Sequence, residues 1–405
     1  MKKIIYGWSI FILMAPFMLL SGCKGGAVPK PQVPVTVVES VKPQVKKPAR
    51  RAPALSSSVP EKIAVGSQLG GARQGVTLTL KNAVTTFAGR VGIVGSTDGS
   101  ASRAKFNAPK GIATDGINLY LADLNNHTIR KIEISNGMVT TLAGSAGKKG
   151  SDDGKGAAAR FNRPYGITVD NGYLYVSDSN NHCIRQIEIE SGIVTTIAGG
   201  AGKVGYVDGV VKDARFFIPE GITSDGNNLY VSDTHNHSIR KIDLENDIVT
   251  TLAGLSGAPG MIDEVGGKAR FSYPKGITSD GINLYVIDFG NHRVRKVVIA
   301  TGNVSTFAGI DAASSEHGTE EHFNYPTGVT SDGRNLYVVD TFNRMIRKVA
   351  IGNGAITTVA GKAEIEGFKD AVGSDARFKD PVGITTDGID LFVTDSGNNT
   401  VRKIR

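Results

Sequence analysis

Gly111-Ile112-Ala113-Thr114-Asp115-Gly116-Ile117-Asn118-Leu119-Tyr120-Leu121-Ala122-Asp123-Leu124-Asn125-Asn126-His127-Thr128-Ile129-Arg130-Lys131-Ile132 is one copy of a pattern that the chain repeats six times. The copies open at Gly111, Gly166, Gly221, Gly276, Gly328 and Gly383, a period of 55 residues with one interval of 52. A fixed period of this size marks a repeat architecture. In the second copy, residues 166–169, 173–177, 184–189 and 193–198 form four strand-like runs. Asn171-Gly172 and Ser191-Gly192 supply tight connections that accept positive φ, and 178–181 supplies a slightly longer one.

A four-stranded unit cannot bury both of its faces alone, so the copies must pack on one another. The expected fold is all-β, a six-bladed β-propeller of four-stranded antiparallel blades. The last copy stops at Arg405 inside its third strand, and the missing fourth strand stands at the other end of the domain as Val84-Thr85-Thr86-Phe87-Ala88-Gly89. The pattern therefore predicts a ring over 76–405 closed by residues 84–89 completing the sixth blade, with 76–80 as a lead-in or extra edge strand.

The segment from Asp123 to Ile132 and its equivalents resemble NHL repeats, and the resemblance covers essentially all of 76–405. The Gly-rich connection ending in Asp-Gly, followed by Ala-Arg-Phe as in Asp208-Gly209 to Phe216, is similar to bacterial NHL proteins in particular. Propellers of similar outline include amidating lyases and gluconolactonase-like enzymes that work through a metal in the central channel. RNA-binding NHL propellers are a further class.

Residues 1–23 read as an export signal: Lys2 and Lys3, an apolar run from Ile4 to Leu20, then small residues. The ending Leu20-Ser21-Gly22-Cys23 resembles the lipobox of bacterial lipoproteins, which implies lipid attachment at Cys23; an ordinary secretory signal or an uncleaved anchor are the alternatives. The expected location is exported and lipid-anchored, with Lys24 favouring the outer membrane in a cell that has two. Residues 24–75 read as a Pro/Lys-rich flexible tether, with seven prolines between Pro29 and Pro60 and too little apolar surface to fold. The tether and signal carry the chain's net +8, and residues 63–405 hold 36 basic and 36 acidic side chains. A basic tether suits anionic lipid or wall polymer, or a plain solvated linker. A neutral folded part offers no overall basic surface for nucleic acid. Cys183 is the only other cysteine, so an intramolecular disulfide with a lipidated Cys23 is excluded.

Residues that recur in every copy are expected to hold the ring. The aspartates Asp123, Asp178, Asp233, Asp288, Asp340 and Asp395 suit turn amides. The arginines Arg130, Arg185, Arg240, Arg295, Arg347 and Arg402 suit blade-to-blade pairing with carboxylates. His127, His182, His237 and His292 also recur, replaced by Arg344 and Asn399 in two copies. Equivalent positions on different blades lie about 10 Å apart, too far for a shared metal.

Function is expected where the repeat is broken. The residues before the strand-opening glycines, Lys110, Tyr165, Glu220, Lys275, Thr327 and Val382, are candidates for binding at the mouth of the central channel, with unselected surface variation as the alternative. His235, Phe289 and Phe342, in loops between second and third strands, are candidates for a partner face. His317 and His322, with three Glu nearby, are weak zinc candidates in the shortened connection before the fifth blade. The leading expectation is a monomeric, envelope-anchored scaffold, without cofactor, that binds a protein or an envelope polymer. The alternative is a metal-dependent propeller enzyme, lyase or lactonase-like, using calcium or zinc at the channel mouth.

Overall fold

The computed structural model describes residues 77–309 and 322–405; the export signal, Cys23, the tether and His317 lie outside the described residues. Six antiparallel sheets are present. The first consists of Pro109–Thr114, Asn118–Asp123, Thr128–Glu133 and Val139–Gly144, paired in chain order from the channel outwards. The sixth joins Pro381–Thr386, Leu391–Asp395 and Thr400–Ile404 to Ala83–Ala88 from the start of the domain, in the register Val84 to Ile404 and Thr86 to Arg402. The propeller and its closure are as the repeat pattern predicts.

Two details differ from the four-strand reading. In three blades a two-residue strand of the incoming connection, Gly154–Lys155, Gly209–Val210 or Ala371–Val372, adds a fifth member outside the fourth strand. This covers an otherwise open edge, the position most prone to pairing with another chain. The described lead-in residues, 77–80, form no strand. Leu78 instead packs with Tyr337, Val359 and Phe378 between the fifth and sixth blades, and its N–H donates to Asp332 Oδ2 at 3.1 Å.

Apolar side chains fill the space between neighbouring blades. One cluster takes Tyr120, Ala122 and Ile129 from the first blade and Phe161, Ile167 and Leu174 from the second. The sheets meet most closely around the channel, at the opening glycine of each copy. A Cβ on Gly166 would lie 1.9 Å from Glu220 O, one on Gly221 2.0 Å from Lys275 O, and one on Gly383 2.3 Å from Lys110 O. All six glycines abut the next blade in this way, round the full circle.

Each repeated arginine is fully buried and works inside its own repeat, which corrects the expectation of blade-to-blade pairing. Arg240 donates from Nη1 to Asp233 at 2.8 Å and from Nη2 to Asp208 at 2.5 Å, and its guanidinium lies 5.0 Å from the Phe216 ring. Asp208 also accepts from the amide and hydroxyl of Thr251 on the fourth strand. The connection entering a blade is thereby clamped to that blade's third and fourth strands. Asp233 takes the Phe217 amide and Asn236 as well, so the turn-binding role expected for this aspartate holds, with the guanidinium as an additional partner.

The histidines supply a recurring polar contact between blades. His127 follows the short helical turn Leu124–Asn126 and adopts a left-handed φ of 58°. Its Nδ1 accepts the Arg163 N–H of the next blade at 3.1 Å. His182, His237 and His292 do the same for Ile218, Tyr273 and Tyr325, and Asn399 Oδ1 does so for Ala108. At the junction of the fifth and sixth blades the position holds Arg344, which has no acceptor atom.

Burial lifts the Asp233 carboxyl to about 6 even beside Arg240. Without the guanidinium the buried charge has no counterion, so Arg240→Met is expected to cost about 3–5 kcal/mol in urea unfolding. A loss under about 1 kcal/mol would show that the clamp is dispensable.

The histidine latch requires a neutral ring. Burial, then the Arg163 and Lys149 charges, hold His127 below its ordinary value of 6.5. Above that value folded and unfolded chains are both neutral; as the pH falls, the unfolded chain protonates first and the native state loses stability. His127→Asn keeps the acceptor and tolerates the left-handed backbone without titrating. The variant is expected to match the parent near pH 7.5 and to become the more stable of the two by about pH 5.5, as read by unfolding at both pH values. A stability difference independent of pH would exclude the latch as a titrating contact.

Candidate functional site

Each of the six residues before the ring glycines passes its carbonyl to the neighbouring blade's glycine, which fixes all of them at the channel mouth. Three of them, with Lys110 beside, form one cluster. Lys275 Nζ is 3.0 Å from Glu220 Oε2, 5.5 Å from the Tyr165 ring centroid and 4.4 Å from that of Phe289. Lys110 Nζ lies 6.0 Å from the same Tyr165 centroid. The other two are built into the ring: Thr327 Oγ1 is 2.6 Å from Thr341 Oγ1 and donates to Val382 O at 2.9 Å, and Val382 is buried. The mouth is therefore polar and aromatic on the side of blades one to four and closed on the side of blades five and six.

The electrostatics follow from these contacts. Burial, with Glu220 close by, pushes the Tyr165 hydroxyl well above the usual phenol range. Burial works against the Lys275 ammonium, but Tyr165 and Glu220 outweigh it and hold this amine above its usual value. Lys110 goes the other way: burial and then the Lys275 charge lower it to about 8. Tyr165 and Glu220 of the cluster line a channel cavity of about 70 Å³, whose other walls include Ile112, Ile167, Ile222 and Ile277. This accommodates a few waters or one compact group, against roughly 300–1,000 Å³ for a pocket that holds a whole small ligand.

The loop residues lie on the same face, because second strands end, and first and third strands begin, at the mouth side. His235 belongs to the turn Thr234–Asn236 and Phe289 to Phe289–Asn291; both are half-buried, whereas Phe342 is 53% exposed. They are joined by rings that the sequence reading passed over. Tyr325 lies 4.9 Å from Phe289 and 5.0 Å from Phe342, and Tyr273 lies 5.4 Å from His235. Tyr273 and Tyr325 each precede the proline that opens a blade, at left-handed φ values of 50° and 45°, held there by His237 and His292. The signal was present: this position reads Ala108, Arg163, Ile218, Tyr273, Tyr325 and Asp380, as varied as the mouth set.

His235 and His237 do not form an isolated pair, since both rings meet Tyr273 edge-on. Among the described residues no three His, Cys, Asp or Glu side chains are grouped to hold a metal ion. His322 is half-buried, and its carbonyl oxygen accepts from Arg347. Cys183 is fully buried, and burial pushes its thiol far up, away from the reactive thiolate. Among the described residues no helix is long and apolar enough to cross a membrane.

The NHL repeat family matches residues 161–187 and 218–242. Protein SUPPRESSOR OF QUENCHING 1, chloroplastic, of Arabidopsis thaliana is 32% identical over 290 residues, covering 66% of this chain and 27% of that protein. NHL repeat-containing protein 2 of Bos taurus is 31% identical over 293 residues, covering 62% of this chain and 40% of that one. The chain thus spans well under half the length of these curated relatives. Among solved structures, an auxiliary nutrient binding protein from Bacteroides thetaiotaomicron superposes with a TM-score of 0.59 at 18% identity, over 86% of this chain and 78% of that one. With six copies of the pattern, their closed ring and these relatives in agreement, the chain belongs among the NHL-repeat β-propellers.

Proposed function

We propose that this propeller is a binding protein, held at the cell envelope through Cys23, and that it receives a protein or polymer partner on the channel-mouth face of blades two to five. The observation that carries the reading is the asymmetry of that face. Repeated polar groups are consumed by the clamp and the latch, while Tyr165, Lys275, Phe289, Tyr325 and Phe342 stand at positions that vary between copies and lie together. Half-exposed aromatic side chains beside a charged pair are the composition of interface anchors. The same fold in a nutrient-binding protein is compatible with this use.

The test pans peptide and envelope-polysaccharide libraries on the full chain. Phe342→Ala and Phe289→Ala are each expected to weaken the selected ligands by about tenfold, the effect of losing one anchor. Ile117→Ser and Ile282→Ser, at exposed turns on the opposite end of the ring, are expected to change nothing. Ligands that respond to the second pair and ignore the first would move the binding face to the other end.

For the anchor, Cys23→Ser is expected to shift the chain from the membrane pellet to the soluble fraction of the exporting cell. Unchanged pelleting would remove Cys23 as the attachment point.

A further inference from the structure

The charges at the mouth do not balance, and the imbalance falls on one atom. Lys275 is matched: Glu220 lies 3.0 Å away, and two aromatic rings flank the amine. Lys110 shares the Tyr165 ring but, among the described residues, has no carboxylate oxygen within salt-bridge distance. The groups that act on it are Lys275, Glu220, Asp380 and Arg163, two cations and two anions, and Glu220 is already engaged by Lys275. The remaining ring positions, Thr327 and Val382, contribute no charge. A half-buried ammonium without a counterion is costly, and a site built around one is complete only when an anion arrives. A cavity of about 70 Å³, lined by Tyr165 and Glu220 of the same cluster, admits a compact group and excludes the body of a larger molecule.

We infer that Lys110 receives an anionic terminus, a carboxylate or a phosphate, of the ligand that the channel-mouth face binds, with the rest of that ligand lying outside on the aromatic side chains. The inference rests on the proposed binding face and assigns the chemistry of one end of its occupant. Lys275 reinforces the site by its charge while keeping Glu220 from neutralising Lys110. Because burial and Lys275 bring Lys110 to about 8, an arriving anion stabilises the protonated amine and draws a proton onto it near that pH.

Calorimetry of the full chain at about pH 7 with 3-phenylpropionate, phenyl phosphate and the neutral 3-phenylpropanamide tests this. At least one anion is expected to bind at least tenfold more tightly than the amide, and the tighter of the two identifies the source as carboxylate or phosphate. Lys110→Met is expected to remove that tenfold preference and Lys110→Arg to retain it. At about pH 8 the binding heat is expected to vary with the ionisation enthalpy of the buffer, reporting proton uptake. Equal affinity for acid and amide, unchanged anion affinity in Lys110→Met, or no anion binding up to about 10 mM each overturns the inference. Library ligands that survive Lys110→Met but fall with Phe342→Ala would overturn it while leaving the binding face intact.

Discussion

The whole ring depends on a contact that only a missing side chain permits. At the inner edge of every blade a glycine Cα rests against the carbonyl of its neighbour, and any Cβ there would sit 1.9–2.4 Å from that oxygen. Six such contacts set how closely the sheets converge, and so the bore of the channel. They also orient the preceding residue. Its carbonyl is committed to the glycine of the preceding blade, which leaves its side chain at the mouth. The constraint that fixes the ring is thus the one that presents Lys110, Tyr165, Glu220 and Lys275 together.

Around that constraint the recurring polar residues satisfy one another. The buried arginine binds the aspartate of its own turn and the aspartate of the incoming connection; the tyrosine of the second strand donates to the aspartate of the inner hairpin, as Tyr230 does to Asp225 at 2.7 Å. The histidine is bonded forward to the next blade. Buried polar groups committed to such networks rigidify a fold and have little capacity left for a ligand, although the buried Nε of Arg240 has no hydrogen-bond partner among the described residues. Chemistry is left to positions where the repeat varies.

Period, blade count and closure were legible in the sequence because each is local or follows from counting: Gly111 to Gly166 measures a blade, and the third-strand pattern ahead of Arg405 matches the fourth-strand pattern at Val84. What stayed hidden depends on distances across blade boundaries. Nothing local to His127 says that its ring accepts the Arg163 amide, and nothing near Arg240 distinguishes an aspartate of its own repeat from one next door. The mouth set was readable as a position but not as a cluster, because the joining of Lys275 to Glu220 and the withdrawal of Thr327 into a hydroxyl pair are set by neighbours 55 and 14 residues away. Tyr273 and Tyr325 were legible in principle, since the residue before each opening proline varies as much as the mouth does.

The junction of the fifth and sixth blades carries Arg344 in place of the acceptor used at the other five. It is also where Leu78 enters the core, with its amide on Asp332. The lead-in therefore adds packing to a joint that is otherwise crossed by the hydroxyls of Thr327 and Thr341, which donate to Val382 O and Pro381 O. Mechanically, a pull on the chain ahead of Leu78 bears first on that wedge, and only after its extraction on the ladder between Ala83–Ala88 and Thr400–Ile404 that closes the circle. One leucine and one carboxylate contact thus stand ahead of the closing strand in the path of such a pull.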